Sequence, residues 1–312
     1  MAAINSNGFM GIAYGVIRRL LVFSALAFSG LTNYVAAQPV DPVLEKITRT
    51  GKLVIGYPAE ALPFSYQIAE HEEPLGYSID LCRKVAQAIQ DALQLKTLTV
   101  TFQPLSFKER LDAVQSGTVD LECGSTTNTR ERQEKVAFSV STFAATIKAL
   151  VRSGDPAHNL LALNHRKVII VEGTTVGSLV SDLEKDRQLD FEKVTEPNLA
   201  AGLAALASQK GDALVFDEVV VAPRIAKLHD QYRFLSDTLA VEHLALMMPK
   251  RNPQLKRIVD TTLVTLMQSG AAEQLYRKWF QSPIGPDGTN LNIPFSQDMR
   301  VLFSQPNDRG NI

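Results

Sequence analysis

Gly117–Arg132 reads GTVDLECGSTTNTRER. Val119–Glu122 is strand-like and lies between Gly117 and Gly124, so a strand is expected over Gly117–Cys123. It runs into three hydroxyl residues, Ser125, Thr126 and Thr127, and then into a charged, helix-prone segment that contains Arg132. Hydroxyls and backbone N–H groups at a strand end, with one guanidinium a few residues on, make a cradle for a small carboxylate. A guanidinium meets a carboxylate through two parallel charge-assisted hydrogen bonds, which makes Arg132 the leading binding candidate. The ordinary alternatives are a surface arginine for Arg132 and helix N-caps for Ser125 and Thr127.

Working outward, a helix is expected over Leu44–Thr50 and a strand over Lys52–Tyr57. A helix follows from about Gly76 to Leu93 with Ser78 as N-cap, then a strand over Leu98–Gln103. Ser106 and Glu109 stand in capping-box spacing at the head of a helix to Gln115. This alternation predicts an α/β fold with a mostly parallel sheet covered by helices. Ligands in such sheets bind beyond the carboxyl ends of the strands, here Tyr57, Pro104–Phe107 and Gly124–Thr127.

The pattern restarts near residue 150, with strands at Lys167–Val171, Phe191–Val194 and Ala213–Phe216 and helices between them. Thr174, after Gly173, stands at a helix N-terminus, where the backbone favours an anion. Asp217, at a strand end, can pair an ammonium or cap the helix that follows. A strand at Ala245–Met248 precedes a helical region from Pro253 to Phe280, interrupted near Gly270, and a loop-rich tail with a short helix near Gln297–Phe303.

Composition excludes several classes. With 45% hydrophobic and 21% charged residues the chain is globular, and a net charge of −1 leaves no nucleic-acid footprint. Arg18 and Arg19 precede an apolar run to Leu31, with Val35-Ala36-Ala37 behind it, which predicts a cleaved signal peptide over residues 1–37. The five histidines form no HxxxH or HxH pair, so no metal site is expected. GxSxG, HExxH, CxxC and a Gly-rich phosphate loop are all absent, so neither catalysis nor a cofactor is indicated. The two cysteines, Cys82 and Cys123, are either one disulfide or two buried thiols; their separation in space decides.

The segments LEKITRTGKLVIGY, PFSY, GYSIDL, LECGSTTN with ERQ after it, VEGTT, FDE, RKWFQSPI and LFSQPND together resemble the periplasmic solute-binding proteins of polar amino-acid ABC transporters, and within them the glutamate/aspartate-binding proteins. The resemblance covers about Leu44–Asn307. It implies a two-lobed, type II-like fold of two parallel or mixed sheets joined by two hinge strands. One lobe would comprise residues 44–147 and 245–312, the other 150–241. It further implies a monomer in the periplasm that hands its ligand to an inner-membrane ABC permease. By position, Arg132 matches the arginine on the ligand α-carboxylate, helped by Thr127 and Thr174. Ser125, Asp217 and the Thr127 hydroxyl match groups around the α-ammonium, and Arg110 an arginine near the ligand side chain. The side-chain end departs: Pro58 stands for a second arginine, Phe107 for a serine, Leu199 for a histidine and Val171 for a threonine. A second ligand carboxylate there would have only Arg110 as partner, so glutamate and aspartate are disfavoured. The alternative is a periplasmic enzyme on the same scaffold, similar to cyclohexadienyl dehydratase, with Glu60 or Glu172 as its acid or base.

Overall fold

The computed structural model describes residues 41–69, 72–228, 230–285 and 288–311. The expected signal peptide lies outside these residues. Helix α1 (Pro42–Thr50) starts on the Asp41 carboxylate, which accepts from the Leu44 N–H, and stops at Gly51 in the left-handed region. Strand β1 (Lys52–Pro58) leads to a hairpin, β2 (Glu60–Ala61) and β3 (Ser65–Tyr66), and then to α2 (Tyr77–Ala92). Next come β4 (Thr99–Leu105), α3 (Arg110–Gln115), β5 (Leu121–Glu122), α4 (Arg130–Lys135) and β6 (Val136–Phe138). The second set is β7 (Phe143–Arg152), β8 (Lys167–Val171), α5 (Val176–Arg187), β9 (Glu192–Glu196), α6 (Leu199–Ala207), β10 (Ala213–Asp217), α7 (Glu218–Ile225), β11 (Tyr232–Phe234) and β12 (Ala240–Leu244). The chain closes with β13 (Met247–Pro249), α8 (Pro253–Gln268), α9 (Ala271–Phe280) and α10 (Gln297–Ser304).

Two sheets result. The first has the order β4-β1-β5-β13-β6, the second β11-β7-β10-β8-β9 with β12 also on β7. In the first, β1 pairs β4 and β5 in parallel, and β13 returns antiparallel to β5 and β6. In the second, β8 is parallel to β9 and β10, while β7 is antiparallel to β10, β11 and β12. Both sheets are therefore mixed. The chain crosses between them at 139–142 and again at 245–246. The two crossings lie side by side: Ser139 N–H donates to the Leu246 carbonyl at 2.9 Å and Thr142 N–H to that of Leu244 at 2.8 Å. The lobe limits expected at 147/150 and 241/245 fall in or beside β7 and β12.

Phe64, Tyr77, Phe143, Tyr276 and Phe280 form one aromatic cluster on the first sheet's side, with ring centroids 4.5–6.5 Å apart. Cys82 and Cys123 form a disulfide, which decides the open question and ties α2 to the residue after β5. The helix at 77 begins after Gly76 instead of on Ser78. Gly76 has φ 138° and lies so close to Phe64 that a Cβ would sit 2.1 Å from its carbonyl oxygen. The Ser78 hydroxyl is used elsewhere, donating to the Gly124 carbonyl at 2.7 Å. The strand expected over Gly117–Cys123 shrinks to two residues. Before it, the Asp120 carboxylate accepts from the Val54 N–H at 2.9 Å and from Lys46 at 2.7 Å. Gly270, at φ 79°, separates α8 from α9, as the interruption in the helical pattern anticipates.

Candidate functional site

The loop after β5 and the turn after β8 face one another across a crevice of about 610 Å³ between the sheets. Two guanidiniums from the first sheet's side enter it. Arg110 opens α3 behind the expected capping box: Ser106 N–H and Oγ donate to Glu109 Oε2 at 2.9 and 2.7 Å. Arg132 lies in α4, whose N-cap is Thr129, with Oγ1 accepting from the Arg132 N–H at 3.1 Å. Arg132 donates to the Thr127 carbonyl at 2.9 Å, and Arg110 to the Ser125 carbonyl at 3.4 Å. Both then reach across to one acceptor, the Gly173 carbonyl, at 3.0 and 3.3 Å.

Gly173 is required at that point. Its φ is 74°, and a Cβ would lie 2.4 Å from the Phe107 carbonyl oxygen and 2.5 Å from the Lys108 backbone. Burial, and then the like charge of Arg110, push the Arg132 guanidinium down to about 10, against the pull of Glu242 and Glu122. Burial also lowers Arg110, which is 3% exposed.

Carboxylates surround this pair. Asp217, at the end of β10, is buried, and its Oδ1 has no hydrogen-bond partner. Burial raises its carboxyl to about 7 and the negative charge of Glu242 adds to the rise; Arg110 opposes it. Glu122 lies beneath the strand end: Oε2 accepts from Thr126 Oγ1 at 2.8 Å, Oε1 has no partner, and burial pushes its carboxyl up. Glu242 on β12 accepts from Thr127 Oγ1 at 2.5 Å and from Thr175 Oγ1 at 2.8 and 2.9 Å. It is thereby held by hydroxyls from both sides of the crevice.

Phe107, Arg110, Arg132 and Thr174 line the crevice, as do Gly173 and Glu242. Ser125, Thr127, Asp217, Pro58 and Leu199 stand outside that lining. Ser125 and Thr127 present carbonyls to the two arginines. Thr174 turns its hydroxyl back to the Val171 carbonyl at 2.7 Å, and its neighbour Thr175 makes the contact to Glu242. The side-chain end is apolar. Phe107 packs on Phe216 across the crevice with centroids 5.7 Å apart, and the Arg110 guanidinium lies 5.0 Å from the Phe107 centroid. Leu199 is fully buried, and its N–H meets Glu60 Oε1 at 3.4 Å. Pro58 backs Gly124, where a Cβ would come within 2.5 Å of the proline ring. Arg224 closes the lip by donating to the Glu60 carbonyl at 2.6 Å. Glu122, Glu242 and Thr175 were not marked by sequence reasoning. Among the described residues no group of His, Cys, Asp and Glu is arranged to hold a metal ion.

Two mixed sheets joined by two crossings, with a charged crevice between them, define a two-lobed solute-binding architecture. Residues 53–282 match the model of the bacterial extracellular solute-binding proteins, family 3, and the chain belongs to that family. It is 30% identical over 276 residues to the glutamate/aspartate import solute-binding protein of Escherichia coli K12, covering 88% of this chain and 91% of that one. It is 31% identical over 291 residues to the L-glutamate/L-aspartate-binding protein of Pseudomonas aeruginosa, covering 93% and 96%. These relatives are named as binding proteins. Among solved structures, an ancestral arginine-binding protein bound to arginine superposes with a TM-score of 0.65 at 26% identity, covering 74% of this chain and 98% of that one. The ancestral amino acid-binding protein AncCDT-1, a precursor of cyclohexadienyl dehydratase, gives 0.65 at 28% identity, covering 76% and 98%.

Proposed function

We propose that this chain binds an α-amino acid in the crevice, in the periplasm, and delivers it to an inner-membrane ABC permease. The observation that carries the reading is the opposition of charges. Arg132 lines one side, and on the other Asp217, buried behind the lining, leaves its Oδ1 unpartnered, an opposition that fits the two ends of a zwitterion. The names of the relatives support the amino acid and the importer. Closure is a hinge motion about the two crossings that a ligand drives by touching both sides. Micromolar affinity needs about 8 kcal/mol, within reach of a few charge-assisted bonds once water is excluded.

The side-chain end favours an uncharged ligand side chain. Phe107, Phe216, Leu199 and Pro58 are all buried there, and a second carboxylate would be desolvated with Arg110 alone beside it. Tight calorimetric binding of L-glutamate, with no binding of amide or apolar amino acids, would overturn that preference. The dehydratase alternative needs a free carboxylate over the ligand. Glu172 is paired with Lys108 at 3.0 Å, and Glu60 is engaged by the Leu199 N–H.

The assignment of Arg132 is tested by Arg132→Ala. Ligand binding is expected to fall at least about 100-fold in calorimetry while the unfolding midpoint stays within a few degrees. Unchanged binding would remove Arg132 from the site.

A further inference from the structure

We propose that Glu242 is a second carboxylate for the ligand α-ammonium, so that the amine is held between Asp217 from β10 and Glu242 from β12. The inference rests on the reading of the crevice as an α-amino-acid site and adds to it a residue on a crossing strand. Three observations converge on it.

Strand register supplies the first. β7 lies between β10 and β12, with Asp217 opposite Ile147 on one side and Glu242 opposite Ala145 on the other. Paired residues share a face, and positions 145 and 147 are two apart on one strand, so Asp217 and Glu242 project from the same face. Two strand spacings across the sheet, about 10 Å, and two residues along it, about 7 Å, set their backbones about 12 Å apart. An aspartate and a longer glutamate leaning inward narrow that gap over Ala145, whose side chain is only a methyl group.

The second observation is the unpartnered oxygen of Asp217. Asp217 is nine-tenths buried and Oδ1 lacks any partner, while Glu242 is near enough to raise its proton affinity. Two buried carboxylates within electrostatic reach of one another favour a cation or a donor beside them.

The third concerns the hydroxyl protons. Thr127 and Thr175 each have one, and both are donated to Glu242. The Thr127 oxygen is therefore left with lone pairs only, an acceptor suited to an ammonium and unsuited to a carboxylate. Glu242 thus fixes the polarity of Thr127 as well as contributing its own charge.

The experiment compares parent, Glu242→Gln and Glu242→Asp. The twenty common L-amino acids are titrated into the parent by calorimetry, and the 2-hydroxy acid counterpart of the tightest binder is measured by competition. Glutamine keeps the size of the side chain and can still accept from both threonines, so the fold is expected to hold; an unfolding curve checks this. The amino acid is expected to weaken at least 30-fold in Glu242→Gln, while the hydroxy acid changes less than threefold. Glu242→Asp should recover part of the loss. Equal losses for both ligands, or an amino acid bound as tightly as by the parent, overturn the proposal and leave Glu242 as a brace between the threonines. If none of the twenty binds the parent, the amino-acid reading falls and this assignment falls with it. Binding by the parent with no selective loss in the variant overturns the assignment alone.

Discussion

The first-sheet side of the crevice supplies cations, Arg110 and Arg132, held by backbone carbonyls of the loop after β5. The second-sheet side supplies anions, Asp217 and Glu242, on strands that flank β7. The first side is cross-linked to its helical layer by Cys82–Cys123, whereas the cysteine-free second side relies on strand pairing and ion pairs such as Arg166–Asp155 at 2.6 Å. This division of charge bears on how the crevice selects its ligand. Glu122 offsets part of the cationic charge from its own side, and under the proposed reading the carboxylate and ammonium of a zwitterion complete the rest.

The largest expected effect breaks the asymmetry in cross-linking. The disulfide closes a span of 41 residues, so replacing both cysteines by serine should cost about 4 kcal/mol of unfolding free energy in the chain-entropy account. Urea unfolding of the double variant measures it. Gly173→Ala comes next, because it pushes the shared acceptor away from both arginines at a left-handed position. A loss of about 2 kcal/mol in ligand binding is expected by calorimetry, with a smaller loss of stability.

Asp217 sharpens the comparison through pH. Its carboxyl is raised to about 7 in the fold, and an unfolded aspartate titrates near 3.9. The folded protein therefore holds a proton between about pH 4 and pH 7 that the unfolded chain has lost, and this group's contribution to stability falls as pH rises through that window. Asp217→Asn should remove the slope, gaining at least about 1 kcal/mol on the parent between pH 5 and pH 8 in urea unfolding. The smallest effect belongs to the lip. Arg224→Ala removes one contact across the crevice and should weaken ligand about fivefold, close to one ordinary hydrogen bond, by calorimetry.

Much of the fold was legible because helices and parallel strands carry strong periodicities. Gly117–Arg132 announced its strand end and its guanidinium by residue type alone. Residue patterns left β7 and β12 unplaced, and only the resemblance implied two hinge strands, although residues 143–149 alternate buried and half-buried positions. Glu242 went with them. In AVEHL, Ala240, Glu242 and Leu244 share one phase, and a glutamate on the phase that ends in a buried leucine was the available signal. The expected strand began at Ala245 and left that phase unread. Thr174 and Thr175 were indistinguishable in sequence. The turn after Gly173 sends the first hydroxyl back to Val171 and frees the second for Glu242, a choice that only backbone direction makes.

Glu242 stands on a strand that pairs along β7 and ends at the second crossing, two residues before the first sheet resumes. Under the proposed assignment the joint of the molecule is also part of its binding surface. Asn128 N–H donates to the His243 carbonyl at 2.9 Å and Ala245 N–H to that of Thr126 at 3.0 Å, so the loop after β5 is tied to this strand beside Glu242. A substitution that only stiffens the crossings, touching no ligand atom, should then change affinity by altering how readily the two bodies turn about that point.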